Sequence, residues 1–582
     1  MAVWVAMAVL AGSAAADEMR LDLSEGWRFK PGDDTAWSQA AFDDGGWSQI
    51  KVGVPWEEAG FPDLDGYAWY RLRVVIPAEW QELPSIRSAG GLVLDMGGVD
   101  DVDETFLNGQ KIGKTGAFPP DYVPEWDTPR AYFIPLKFVK WGSENVVAVR
   151  VYDGQGAGGI WKAPVALRAP RKWDAIKLAF YPQPASGVVS TGKRLRVKIE
   201  MKNVSEIPVT GRLECSWRSD RLKDETVLGK DEREVLIKPG GTFRHAVEYR
   251  PAEAGFYRMN LVFKAQGEED MGDFMVLGYE PEKVMRPLTK EADFDEFWAA
   301  RLAELAAVAP EYTVEARPDK STPKVDTYLV EMKSYGGVRV NGWLTVPKTK
   351  GPHAAVVMVP GYTSAMQPAV SRENMAVLAL DIRGHGNSIK DLDPKGGEFM
   401  YIGLAPNPAD YVYAGAYMDC IRAVDYLCSR PDIDPERIGV EGGSQGGGLS
   451  LATAALDPRI KACAPDVPWL CDWPDYLEVD VWTTEEFPKL LAKRSDLNMT
   501  KLMRILSYID AMNLADRIKC PVNLSLGLRD TTCPPRTILA AYNRIKSKKE
   551  IHYYPFAGHG GGGGVHEDLK VKWLSKQLKA RL

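Results

Sequence analysis

In the second half of the chain, short runs of apolar residues alternate with longer segments of helical periodicity. Ala354-Ala-Val-Val-Met-Val359, Ile438-Gly-Val440 and Pro521-Val-Asn-Leu-Ser-Leu-Gly527 read as buried strands, whereas 291–306, 449–456 and 566–582 read as helices. Strands that alternate with helices predict a mostly parallel sheet covered on both faces, an α/β-hydrolase-like arrangement. Upstream, the pattern changes to period two. Between about residues 21 and 170, strands such as Leu72-Arg-Val-Val-Ile76, Gly91-Leu-Val-Leu-Asp95 and Asn145-Val-Val-Ala-Val-Arg-Val151 are separated by Gly, Asp and Pro clusters. A second set follows near 194–201, 211–217, 244–249 and 257–263. Two all-β sandwich domains are expected, the second immunoglobulin-like and serving as a linker. The expected boundaries are 17–172, 173–280 and 281–582, the last entered through Pro281 to Pro287.

The first 16 residues fit neither pattern. They form an uncharged apolar stretch ending in Ala14-Ala-Ala16 before Asp17. This matches the hydrophobic region and cleavage site of a secretory signal peptide, although the usual positive n-region is missing. An exported protein, periplasmic or extracellular, is the expectation. No other apolar run reaches the roughly 18 residues of a membrane span, so no membrane partner is expected after signal removal.

With 582 residues the chain is too long for one core, and 45% hydrophobic with 26% charged residues is a globular composition. A net charge of -7, spread along the chain, provides no electrostatic grip on nucleic acid, whereas a neutral polysaccharide is compatible with it. The seven cysteines are odd in number and show neither CxxC nor metal-ligand spacing. They read as buried apolar fillers and not as a disulfide framework or metal site.

The candidate chemistry lies in Ile438-Gly-Val-Glu-Gly-Gly-Ser444-Gln-Gly-Gly-Gly448. A buried strand, a glycine-bounded turn with one serine and a helix start together form a nucleophile elbow. Ser444 would be held out at the strand end, with the N–H of Gln445 at the positive end of the following helix facing the developing oxyanion. A serine needs a histidine base and an orienting carboxylate, which follow it in the order Ser, Asp, His in this fold. Of the three later histidines, His552 alternates within a strand and reads as a packing residue. His566 opens a charged helix and suggests a solvated or capping group. His559, in the loop Phe556-Ala-Gly-His-Gly560 after a strand, is the expected base. Asp530, just after the strand 521–527, is the expected carboxylate, with Asp516 the weaker option. The turn Pro360-Gly361-Tyr362 follows an earlier core strand, so the N–H of Tyr362 is expected to be the second oxyanion donor.

With these residues placed, the region from about 288 to 582 resembles carbohydrate esterase family seven, the acetyl xylan esterase and cephalosporin C deacetylase family. The resemblance rests on Asp293-Phe-Asp-Glu-Phe-Trp298, Asp381-Ile-Arg-Gly-His-Gly386, Gly442-Gly-Ser-Gln-Gly-Gly447, Asp466-Val-Pro-Trp-Leu-Cys-Asp472, Ala511-Met-Asn-Leu-Ala-Asp516 and Gly527-Leu-Arg-Asp-Thr-Thr-Cys-Pro-Pro535. It implies Ser444, Asp530 and His559 as the triad and Tyr362 with Gln445 at the oxyanion hole. It also implies removal of acetyl groups from xylan, xylo-oligosaccharides and related sugars through an acyl-enzyme, without metal or cofactor. Two departures stand out: His385 replaces the family's usual Gln, and Gly560, opening a run of five glycines, replaces Glu. The first is expected to alter a structural turn, the second to loosen the loop carrying His559.

Segments 393–413 and 472–503 look like insertions over the pocket, where substrate access is set. In stand-alone relatives such segments suggest oligomer contacts, which leaves a homo-oligomer open. Gly26-Trp-Arg-Phe29, Asp43-Asp-Gly-Gly-Trp47, Asp65-Gly-Tyr-Ala-Trp-Tyr-Arg71, Phe106-Leu-Asn-Gly109 and Gly158-Gly-Ile-Trp161 are similar to the galactose-binding-like jelly roll of glycoside hydrolase family two, which implies a carbohydrate-binding accessory module. Two other readings compete. A prolyl-oligopeptidase-type serine peptidase shares the elbow and triad, but no Glu-Glu clamp for a peptide amine is visible. A non-catalytic carbohydrate-binding protein would require a dead hydrolase domain, yet every expected catalytic position is filled.

Overall fold

The computed structural model describes residues 19–580 apart from 63, 120, 121, 123, 124, 127, 155, 156, 191, 222, 223, 266–269, 396–398 and 480. The expected export signal, residues 1–16, lies outside the described residues.

The C-terminal region is an α/β hydrolase built on a nine-stranded sheet. Its strands are β1 (Thr313–Ala316), β2 (Val325–Lys333), β3 (Arg339–Pro347), β4 (His353–Met358), β5 (Ala376–Asp381), β6 (Ile433–Gly443), β7 (Ile460–Asp466), β8 (Val522–Gly527) and β9 (Lys549–Tyr554). Their spatial order is β1-β2-β3-β5-β4-β6-β7-β8-β9. The β1-β2-β3-β5 pairs are antiparallel, and every pair from β5-β4 onward is parallel. Because side chains alternate along a strand, β4 serves two cores. Ala355 and Val357 face one core together with helices α1 (Phe294–Ala306), α2 (Val412–Ser429) and α3 (Gln445–Leu456). Ala354 and Val356 face the other, with Leu574 of the last helix.

The segment expected as the second insertion forms helices α4 (Trp473–Val479) and α5 (Val481–Ala492) and the start of α6 (Met499–Ile509). In the first, short turns at Phe399–Tyr401 and Pro408–Asp410 lead into α2. Helix α7 (Pro535–Tyr542) follows the Asp530 loop, and α8 (Gly563–Gln577) follows His559. Helix α8 starts three residues earlier than the charge pattern suggests, because the glycine run winds into the preceding turn and the helix's first residues. A Cβ on Gly562 would lie 2.2 Å from the ring of Tyr554, so this position demands glycine for close packing.

Upstream, strands between Arg20 and Arg168 make a six-stranded and a five-stranded sheet. Those between Ile176 and Tyr279 make a five-stranded and a three-stranded one. Trp27, Trp47 and Trp69, from the aromatic motifs of the first region, are buried. They build that region's cores. Six of the seven cysteines are buried as well, as their reading as apolar fillers anticipates. Among the described residues, no helix is long and apolar enough to cross a membrane.

Candidate active site

Strand β6 ends at Gly443 and α3 begins at Gln445, so Ser444 alone makes the turn. Its backbone sits at φ 58 and ψ -120, a conformation that side-chain-bearing residues rarely adopt. Such strain persists only where surrounding contacts enforce it. Here the Ser444 N–H donates to the Asp466 carbonyl at 2.9 Å, and its carbonyl accepts from the Trp469 N–H at 2.9 Å. The flanking glycines are required by the close approach of β4: a Cβ on Gly442 would lie 2.7 Å from the Val359 oxygen, and one on Gly446 at 2.5 Å from that same oxygen.

His559 and Asp530 are brought together at the ends of the neighbouring strands β8 and β9. Nδ1 of His559 lies 3.0 Å from Oδ2 of Asp530. The Asp530 side chain is fully buried, and that of His559 is 37% exposed. Oδ1 of Asp530 accepts the N–H groups of Thr532 and Cys533, both at 2.8 Å, which fixes the carboxylate plane. Burial of the imidazole opposes its protonation, but the Asp530 carboxylate outweighs this and raises the His559 pKa above its ordinary value. Asp530, Cys533 and His559 bring possible ligand atoms within 4.8 Å of one another. Both Asp530 oxygens are nevertheless committed to orienting contacts.

Tyr362 follows β4 beside the elbow, and its hydroxyl accepts the Met400 N–H at 3.2 Å. Its ring meets Trp469 edge-on at 5.5 Å and Phe399 at 6.4 Å. Tyr413 in turn packs edge-on against both Phe399 and Trp469. These rings pack into one aromatic cluster. Gln445 opens α3, where the first N–H groups of a helix have no intrahelical acceptor. Its buried side chain bonds to Tyr413 and His385.

The other acidic and histidine candidates lie elsewhere. Asp516 pairs with Lys290, and half-buried His552 lies 3.1 Å from the Asn523 amide. His566 departs from its expected solvated position, being only 2% exposed. The early start of α8 turns it inward, where Nδ1 lies 2.9 Å from the Tyr554 hydroxyl and Nε2 3.0 Å from Asp466. Asp466 also receives Lys570 Nζ at 2.6 Å and the Ser525 hydroxyl at 2.7 Å. Burial works against its ionisation, but Lys570 and His566 hold the carboxylate far below its usual range. Since the Asp466 carbonyl also receives the Ser444 N–H, this buried ionic cluster braces the elbow from behind. Sequence reasoning missed it, as it missed Tyr413 and Trp469. The available signal was the charged pair Glu567 and Lys570 near the start of an otherwise amphipathic helix.

The acetyl xylan esterase (AXE1) family matches residues 278–577. Acetyl esterase Axe7A of Xylanibacter ruminicola is 32% identical over 318 residues, 52% of this chain and 71% of the relative. Among solved structures, an acetyl xylan esterase from Paenibacillus sp. R4 is 34% identical, with a TM-score of 0.47 over 51% of this chain and 98% of its own. Acetyl xylan esterase 1 from Thermoanaerobacterium sp. JW/SL YS485 is 29% identical, with the same TM-score and the same coverage of each chain. The chain described here therefore belongs to the acetyl xylan esterase family.

Proposed function

We propose that this protein is a serine esterase that removes acetyl groups from acetylated xylan and xylo-oligosaccharides, with Ser444, His559 and Asp530 as its triad. The observation that carries this reading is the Asp530–His559 pair at adjacent strand ends, in the same parallel part of the sheet as the strained Ser444 turn. Ser444 Oγ attacks the acetyl carbon while its proton passes to His559 Nε2. The N–H groups of Tyr362 and Gln445 receive the oxyanion. Collapse breaks the bond to the sugar oxygen, which takes the proton back from His559 and leaves an acetyl-serine. Water, deprotonated by His559, then releases acetate and restores the serine.

The two upstream pairs of sheets suit a galactose-binding-like jelly roll at 17–172 and an immunoglobulin-like sandwich at 173–280. A sugar-binding role for the first draws support from Trp126, 49% exposed, whose ring lies 6.4 Å from that of Trp161. Export to the periplasm or beyond suits a polysaccharide substrate, with the apolar residues 1–16 as signal.

Acetate release from acetylated xylan and from acetylated xylo-oligosaccharides tests the substrate. Release from both is expected, and hydrolysis of an aryl acetate without either would move the natural substrate elsewhere. The pH profile tests the base. Because His559 must be neutral to accept the serine proton and Asp530 raises its pKa, kcat/KM should rise with pH through a midpoint above the roughly 6.5 of a free imidazole, then level off. A midpoint below that value would contradict the assigned pair.

A further inference from the structure

His385 lies in the turn after β5, where the sequence departs from the family's usual glutamine. Its ring is 2% exposed and stands edge-on to Phe399 at 4.6 Å. Nδ1 is 3.3 Å from the carbonyl oxygen of Arg383. A carbonyl only accepts, so this contact puts the proton on Nδ1 and leaves Nε2 as an acceptor. Burial, working against the Arg383 carbonyl, pushes the imidazole down to about 4, which keeps the ring neutral.

Two donors reach Nε2. One is the backbone N–H of Thr363 at 3.3 Å, and the other is the side-chain amide nitrogen of Gln445 at 3.1 Å. The Gln445 amide cannot flip without loss, because its Oε1 accepts the buried Tyr413 hydroxyl at 2.7 Å. The same NH2 group lies 3.3 Å from the carbonyl oxygen of Gly361. That carbonyl shares one peptide plane with the N–H of Tyr362. In a trans peptide the two point in opposite directions, so holding the carbonyl aims the N–H the other way. The peptides on both sides of Tyr362 are thus tied to a single polar cluster.

We propose that His385 is a positioning residue: as an acceptor for Thr363 and Gln445, it holds the Gln445 amide that fixes, through the Gly361 carbonyl, the peptide whose N–H, at Tyr362, stabilises the oxyanion. This rests on the oxyanion hole assigned above. The residue touches no reacting atom and acts through the turn it anchors. A glutamine there can also present an acceptor oxygen toward Thr363 and a donor toward Arg383, whereas leucine fills similar space and offers neither.

The test compares wild type, His385→Leu, His385→Gln and Tyr413→Phe on an aryl acetate, with a trifluoromethyl ketone as probe of the tetrahedral adduct. His385→Leu should lower kcat by about 10- to 100-fold, less than the roughly 100- to 1000-fold for deleting a donor outright, with KM nearly unchanged. Affinity for the ketone should fall by the same factor. His385→Gln should recover most of the loss. Tyr413→Phe, which frees the Gln445 amide but keeps the ring, should lose kcat in the same sense and to a smaller extent; it decides the matter if His385→Leu fails to fold. Wild-type kcat in both His385→Leu and Tyr413→Phe, or a glutamine variant as impaired as the leucine one, overturns the inference. Ser444→Ala separates the two levels: if it is inactive while the positioning variants are not, only the positioning idea fails, and if it stays active, the site reading itself fails.

Discussion

Ser444→Ala is expected to reduce kcat for acetyl ester hydrolysis by roughly ten-thousand-fold to a million-fold, without unfolding the protein. The size follows from the serine acting as one unit with its base, so that losing the nucleophile removes the acyl-enzyme route altogether. Residual turnover would reflect substrate positioning and the oxyanion donors acting on water. The substitution removes one oxygen from a half-buried residue and leaves the backbone at φ 58 to a residue that is also disfavoured there, so the strain in the turn hardly changes. Its hydrogen bonds to Asp466 and Trp469 are made by main-chain atoms and survive. Unfolding followed by tryptophan fluorescence should therefore match wild type while acetate release disappears. Retention of a tenth of the wild-type rate would rule out Ser444 as the nucleophile.

Arg536→Met is expected to destabilise the hydrolase by about 3–5 kcal/mol, the largest stability effect we anticipate from a single side chain. Arg536, in the first turn of α7, donates from Nε to Oδ1 of Asp220 at 2.8 Å, and their side chains are 13% and 7% exposed. Asp220 belongs to the region upstream of residue 280, so the bond crosses between that region and the hydrolase. Removing the guanidinium strands a carboxylate that water can barely reach, and that uncompensated charge is the source of the penalty. Neighbouring contacts tie the same surfaces together. Arg221 Nη2 donates to Asp475 at 2.8 Å, and Arg529 pairs with Asp273 while lying over the Phe274 ring. These contacts flank Asp530, so activity should be lost at lower urea concentration in the variant. The double variant Asp220→Leu, Arg536→Met should regain most of the stability, because the Asp220 charge is then gone and the buried Asp475 keeps its bond from Arg221. If the single variant unfolds with wild type, the pair contributes nothing net and the two regions are held by apolar packing instead.

Much of the site could be read in the sequence, since its signals are local. An elbow needs a buried strand, glycines where strand and helix converge and a helix former afterwards, and all three lie within the stretch from Ile438 to Leu456. Asp530 and His559 were accessible for a related reason. Parallel strands joined by crossovers bring their C-terminal loops to one edge, so a polar residue just after an apolar run falls near that edge whatever the details of packing. Period-two patterning likewise separated the upstream β regions from the α/β region. His566 illustrates the limit. Its neighbours suggested solvent, but a shift of three residues in where α8 begins rotates it into the interior, and helix starts in a glycine run carry no capping signal to fix them.

The sequence by itself therefore determined the fold of the second half and the order of the proposed triad along the chain: an α/β hydrolase with a serine elbow, then a carboxylate, then a histidine, because each depends on a few consecutive residues. Only the tertiary structure decided what holds that chemistry still. The neutral ring of His385 under the Tyr362 turn, the Asp466 and Lys570 charges behind the elbow, and the Asp220–Arg536 bond across the regions join residues 22, 104 and 316 positions apart. Charge and hydrogen-bonding groups recur throughout any sequence, and which of them are buried face to face is set by the packing of whole elements. No local pattern encodes that choice, and burial is what turns these contacts from weak surface pairs into constraints on the site.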